Sequence, residues 1–400
     1  MRPLRQEEQL LSGSPRVRLG VVGLGLIGQV VHLPNLARLG ESFVVTHVSD
    51  LSVSLMETVA SSLPGTPRRS LDAADVCRDP DVDAVLLLTP GAHAPLAETA
   101  LLAGKHVISE KPFCVTQAEA RRLEAIAHER GLVLQVAYMK AYDPGVRAAR
   151  AALPDLGEVQ LVSVEVRHPT HESQIAALDY RTAADFDASV IDAAEAAEEA
   201  LGADALGAVP MGIDHLYRWV LLGSVIHELA ALRALGYEPP TSWEHVHAWP
   251  FDPAAGDADP PSIAATAELD GGAILRLQWL WVPDYPRYEE TIDIVGTRGA
   301  LRLDMPQPYG PNVAARLQVR SPEGPSIVVD DGRHHLDSGF LEELRVFHAA
   351  VTAGGSVPTG AREARADTAS LQALTAYVAA EHGIEVGGEA AEVVASGGRP

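Results

Sequence analysis

The chain is short of cysteine, of positive charge and of long apolar runs, and each shortage removes a class of protein. It has two cysteines in 400 residues, Cys77 and Cys114, and no Cys-x-x-Cys. A disulfide framework or a cysteine-bound structural zinc is therefore excluded as the organising device. His168, His171, His245 and His247 form no metal-ligand spacing, so they read as surface or packing residues and no metal is expected. Cys114 reads as a packed, inert thiol. Lys and Arg number 31 against 54 Asp and Glu, a net charge of −23. So acidic a surface repels phosphate backbones and anionic lipid, and neither nucleic acid nor membrane is an expected partner. No 18-residue apolar stretch offers a membrane span. The start carries Arg2, Arg5, Glu7 and Glu8 but no apolar core before Ser12. No signal peptide is expected there, and the reading is a cytoplasmic protein.

What is present is ordinary for a globular chain. Apolar residues make up 47% and charged residues 21%. The length suffices for two domains with separate cores. Residues 1–14 and 387–400 read as flexible tails. Residues 15–140 alternate strand and helix, the pattern of a doubly wound parallel sheet, that is, a Rossmann domain. Apolar runs are expected as strands at 83–88, 106–109 and 132–137. A helix over 117–130 is capped by Thr116 and Glu119 and ended by Gly131. Ser54 and Glu57 suit a capping box for an earlier helix. Residues 141–386 read differently. Strand-like alternation at 158–167, 262–282, 289–295 and 300–303, with no intervening helices, predicts an open, mainly antiparallel sheet. Ala273, Leu275, Leu277 and Trp279 share one face of it. Two helices, 340–353 and 361–380, close the chain.

Two segments carry chemistry. The first is Gly23-x-Gly25-x-x-Gly28, entered from the apolar run Val17, Leu19, Val21, Val22 and followed by a helix that Pro34 interrupts. A strand, a glycine turn and a helix N-terminus present backbone N–H groups to a dinucleotide pyrophosphate. Gly23, Gly25, Leu26, Ile27 and Gly28 are the expected cradle. Asp50 ends the next strand, 22 residues after Gly28, where a carboxylate grips the adenosine ribose. No arginine follows it to pair a 2′-phosphate, so NAD is favoured, with NADP possible through Ser52 or Ser54. The second segment is Gly104-Lys105-His106-Val107-Ile108-Ser109-Glu110-Lys111-Pro112. It sets Lys111 just past a strand end, at the edge where open parallel sheets hold ligands.

Together with Thr89-Pro90-Gly91-Ala92-His93-Ala94 and the Ile292 to Leu303 hairpin, these segments resemble the Gfo/Idh/MocA family of glucose–fructose oxidoreductases and inositol dehydrogenases. The resemblance covers nearly the whole chain. It implies an NAD(P)-dependent oxidoreductase acting on a hydroxyl or keto group of a sugar, cyclitol or sugar-like small molecule. It also implies a homo-oligomer, dimer or tetramer, formed through the open sheet. Thr89, Pro90, His93, Glu110 and Lys111 would border the cofactor. Ser224-Val225-Ile226-His227-Glu228-Leu229 resembles the family's catalytic-histidine helix. Lys111 would then polarise the substrate oxygen and His227 would exchange its proton.

Two departures stand out. Many relatives carry an aspartate one turn before the histidine, where this chain has Gly223. Glu228 points elsewhere. The second departure is a long segment over 168–217, rich in Ala, Asp and Glu, which reads as an insertion. Asp214 or His215 there is a candidate to replace the carboxylate, against a plain solvated acidic helix. Lys140 and Tyr142 are candidate substrate-binding residues. A second reading therefore stays open: a non-redox or regulatory NAD-binding paralogue, or an enzyme whose retained NAD assists elimination or cleavage.

Overall fold

The structure, a computed structural model, describes residues 15–256, 259–310, 313–322, 324–328 and 337–397. The first sheet is parallel. Its strands are β1 (Val17–Val22), β2 (Phe43–Ser49), β3 (Arg68–Ser70), β4 (Ala84–Leu87), β5 (His106–Ser109) and β6 (Leu134–Val136). Their order across the sheet is β3-β2-β1-β4-β5-β6. The chain order reverses beside β1, and that reversal opens a crevice at the carboxyl ends of β1 and β4. β1 and β4 are buried almost throughout because helices cover both faces.

Several local expectations hold residue by residue. The helix Gln117–Arg130 has its capping box at Thr116 and Glu119, and Gly131 ends it at φ 63°. At Pro34 a new helical segment begins, as the interruption implies. A π-helical turn, Gly28–His32, passes into α-helix at Leu33, with Pro34 in the first turn, where no N–H is missed. Another expectation shifts by two residues. The cap of the helix Val53–Ser62 is Ser52, whose side chain accepts from Leu55 N, rather than Ser54.

The second sheet begins with β7 (Val159–His168) and continues through β8 (Glu244–Trp249), β9 (Ser262–Glu268), β10 (Ile274–Trp281), β11 (Glu289–Gly296), β12 (Ala300–Met305), β13 (Arg316–Ser321) and β14 (Gly324–Val328). Its order is β14-β13-β12-β11-β7-β10-β9-β8, antiparallel except where β10 runs parallel to β7. Leu275, Leu277 and Trp279 share a buried face with Val162, Val164 and Val166 across that pair. Each such aliphatic side chain contributes about 1.5–3 kcal/mol on leaving water. The two sheets do not keep separate cores. One apolar cluster runs from Val85 and Leu87 through Leu229 and Leu371 to Leu277 and Ile292. The helix Gly339–Ala353 returns to the first sheet, adding Leu344 and Phe347 to the cluster on its other face.

Residues 388–397 of the expected C-terminal tail are not loose. Gly388–Gly397 is helical, and Ala390 is fully buried. Glu389 accepts from Gln117 N at 2.6 Å and Ala118 N at 2.8 Å. A carboxylate there satisfies orphan donors at the start of Gln117–Arg130, which composition alone does not reveal. The expected N-terminal tail, 1–14, lies outside the described residues. Among the described residues no helix is long and apolar enough to cross a membrane.

Candidate active site

The glycine turn has the geometry that a pyrophosphate needs. Gly23 sits at φ 92°, and a Cβ on it would come within 2.8 Å of the Leu88 carbonyl. Only glycine fits that approach. A Cβ on Gly25 would meet nothing within 4 Å, so the turn faces open space there. Leu26 and Ile27 are half-buried, and Gly28 is buried. Asp50 holds the turn from β2: its Oδ2 accepts from Leu24 N at 2.8 Å and its Oδ1 from Ser52 N at 2.9 Å. Thr89 and Pro90 follow β4 at the same edge. An open cradle beside an anchored carboxylate fits a dinucleotide.

Beside the turn, Glu110 and Lys111 leave β5. Glu110 is buried and accepts from His32 Nε2 at 2.8 Å and from Lys111 N at 3.2 Å. Burial raises its carboxyl, but His32 and Lys111 outweigh that and hold it below the ordinary range. His93 is wholly buried and donates from Nδ1 to the Pro112 carbonyl at 2.8 Å. It thus pins the turn that carries Lys111. His32 was not foreseen. Its signal is a lone imidazole within an apolar helix stripe.

Lys111 Nζ donates to the Gly223 carbonyl at 2.9 Å. Gly223 lies in the π-helical run Leu216–Val225, which leads into the helix Ile226–Leu235 that carries His227. A backbone carbonyl therefore meets the ammonium at the position where the aspartate is lacking. Burial and Lys140 lower the Lys111 pKa, with Glu110 and Glu228 opposing. His227 lies far below its ordinary pKa because it is buried beside Lys111 and Lys140, and its Nδ1 has no hydrogen-bond partner. Its imidazole is neutral at pH 7.

Lys140 and Glu228 form the least expected part. Lys140 Nζ, 5% exposed, donates to Glu228 Oε1 at 2.6 Å and Glu290 Oε2 at 2.5 Å. Tyr288 OH also donates to Glu290, at 2.7 Å. The three-charge cluster holds the Lys140 ammonium charged, while burial pushes the Glu228 carboxyl up. Lys140 reaches the site as a charge with two of its three N–H groups already given to carboxylates. His168 is stacked at 5.6 Å on Trp281 and tilted at 5.2 Å against Trp279. Its pKa drops to about 4 through burial, opposed by its bond to Pro169.

The remaining candidates take other partners. The Tyr142 hydroxyl is buried and bonded to Thr359 Oγ1 at 2.5 Å. Asp214 grips Arg218 one helical turn on, and Arg218 also reaches Glu198 at 3.5 Å. His215 stacks on Trp219 at 6.2 Å. Among the described residues no cluster of His, Cys, Asp and Glu could hold a metal ion.

Residues 17–138 match the family model GFO_IDH_MocA, described as an oxidoreductase family with an NAD-binding Rossmann fold. Over that segment the chain is similar to the Gfo/Idh/MocA family. Inositol 2-dehydrogenase of Rhizobium meliloti is 24% identical over 92% of this chain and 99% of its own length. The oxidoreductase YdgJ of Escherichia coli is 33% identical, but over 36% of this chain and 42% of its own length. Among solved structures, KijD10, a 3-ketoreductase from Actinomadura kijaniata in complex with NADP and TDP-benzene, superposes with a TM-score of 0.64. It is 19% identical, over 93% of this chain and 98% of its own. That likeness concerns the fold.

Proposed function

We propose that the chain is a member of that family and moves a hydride between a nicotinamide and a secondary alcohol or ketone of a sugar, cyclitol or sugar-like metabolite. The observation that carries the proposal is the Lys111–Gly223 contact, which ties the strand-end ammonium to the turn leading into His227. The relative named as an inositol 2-dehydrogenase supports the substrate class. When bound, the nicotinamide supplies the hydride acceptor or donor. The glycine turn binds its pyrophosphate, and Asp50 binds the adenosine ribose.

Lys111 exchanges the Gly223 carbonyl for the substrate oxygen. Its positive charge, in a site shielded from water, stabilises negative charge developing there. His227, held neutral, accepts the alcohol proton in oxidation and returns it in reduction. Burial lowers the Lys111 pKa, and Glu110, with Glu228 behind it, opposes that. Lys140, balanced by Glu228 and Glu290, contributes its field rather than a bond to substrate. His168 and Trp281, half-buried and stacked on one another, offer aromatic faces to a sugar ring. A homo-oligomer built on the open sheet belongs to the same proposal, and light scattering checks it.

The test is a fluorescence titration with NADH and NADPH, followed by turnover on inositols and sugars. Nucleotide binding with net cofactor reduction that vanishes in Lys111→Ala supports the reading. Reduction that survives in that variant sinks the role of Lys111. The vacancy at Gly223 favours a second reading, in which the nucleotide is retained and cycles within each turnover. It predicts nucleotide that co-purifies and no net reduction with any substrate.

A further inference from the structure

The insertion over 168–217 lies against the cofactor crevice. Arg181 N donates to Gln29 Oε1 at 2.8 Å, and Gln29 Nε2 donates back to the Arg181 carbonyl at 2.9 Å. Ala183 packs against the apolar cluster beneath β1 and β2. Glu198, in the helix Ala188–Leu206, accepts from Ala92 N at 2.9 Å, on the turn after β4. One segment thus touches the helix of the glycine turn, the end of β2 and the loop after β4.

Between those contacts comes Asp185. Its Oδ2 accepts from Ser54 N at 3.0 Å, and its Oδ1 accepts from Ser54 Oγ at 2.9 Å and from Ser52 Oγ. These are donors of the kind an anion takes at a helix start. They stand two and four residues after Asp50, on the ribose-binding strand end, where this fold accommodates a 2′-phosphate when it binds NADP. No arginine stands among them. The Ser52 and Ser54 hydroxyls and the Ser54 amide are already turned to the Asp185 carboxylate, and the Ser52 amide to Asp50.

We propose that Asp185 is a specificity-determining residue, standing in the place of the adenosine 2′-phosphate and directing the site to NAD rather than NADP. The inference rests on the cofactor reading given above. A 2′-phosphate entering beside Asp50 would meet a second carboxylate within a few ångströms and find its donors taken. The NAD ribose carries hydroxyls there and meets no such repulsion. The insertion thereby completes a site that the parallel sheet leaves unfinished.

The experiment is a fluorescence titration of the full chain and of Asp185→Asn with NADH and NADPH, at low and high salt. The wild type is expected to bind NADH more tightly. In Asp185→Asn the ratio of the two dissociation constants should move toward NADPH by about tenfold or more, as removal of one close like charge implies. The wild-type preference should also shrink with salt more than the variant's. Asp185→Ser gives the same test should the asparagine variant not fold. Equal wild-type affinity for both nucleotides overturns the inference. So does an unchanged ratio in variants that still bind NADH. Binding of neither nucleotide by the wild type overturns the cofactor reading itself and takes the inference with it.

Discussion

The proposed cofactor edge and the proposed proton-transfer edge of the crevice are built by opposite means. At the cofactor edge the determinants, Asp185 apart, sit within a few residues of a strand end: the glycine turn after β1, Asp50 after β2, Thr89 after β4, and Glu110 with Lys111 after β5. The backbone supplies the donors, and the parallel sheet sets their spacing. At the other edge the contacts of Lys111 and Lys140 are long-range. Lys111 meets Gly223 across 112 positions, and Lys140 meets Glu228 and Glu290 across 88 and 150. A site made of strand ends survives as a short motif. A site made of distant side chains depends on how two sheets and a π-helical turn pack.

The largest effect is expected where the two edges join. Lys111→Ala should lower kcat/KM by about 10²–10³-fold, the range for losing one preorganised donor to a developing oxyanion. NADH affinity should change far less. Titration and steady-state rates on the same sample check both. Equal losses in binding and turnover would make Lys111 a cofactor ligand only and erase the contrast. His227→Ala should cost about 10²-fold, the lower end for a general acid–base group. Because its pKa lies below 6.5, the wild-type oxidation rate should stay level as pH falls through 6.5. The stability sign follows from the same shift. The unfolded chain takes up the proton at about 6.5 while the folded imidazole refuses it, so stability falls as pH drops below that value. In His227→Ala that slope should weaken, which denaturant midpoints across pH would register.

The same contrast explains what could be read from the chain. The strand β5, the capped helix Gln117–Arg130 and the glycine turn were legible because propensity, caps and apolar period agree locally. Ala273, Leu275, Leu277 and Trp279 declared their shared face by alternation. The partner of Lys140 was not legible, because nothing near Glu228 or Glu290 in sequence announces a buried ion cluster. Nor was the helix Gly388–Gly397, whose composition reads as a tail until Glu389 is seen on the Gln117 and Ala118 amides. The insertion was visible as a departure, but its contacts with Ser52, Ser54 and Gln29 were not. A segment that docks through single polar groups leaves no periodic trace.

A stability effect probes the long-range edge by itself. Lys140→Met removes the cation between two buried carboxylates, and each then keeps its desolvation cost without a counterion. A loss of about 3–5 kcal/mol is expected, read as a lowered denaturation midpoint. Glu228→Gln keeps the shape and one acceptor, so its loss should be smaller. If Lys140→Met folds as well as wild type, the cluster is not closed to water, and its part in holding the Lys111 and His227 charge states lapses.

The smallest effect tests the cofactor edge, through the two glycines of one turn. Gly23→Ala places a methyl 2.8 Å from the Leu88 carbonyl at φ 92°, so the fold itself should suffer. At Gly25 the added methyl meets no protein atom within 4 Å. Stability should then stay within about 0.5 kcal/mol of wild type, as for surface changes away from any structural device. Yet that methyl enters the space a pyrophosphate needs to approach the backbone. NADH affinity should therefore fall, by about tenfold if one hydrogen bond's worth of contact is lost. A Gly25→Ala protein that keeps both its stability and its nucleotide affinity would mean that the open face of the turn is not where the dinucleotide lies. The cofactor edge would then have to be sought elsewhere along the strand ends.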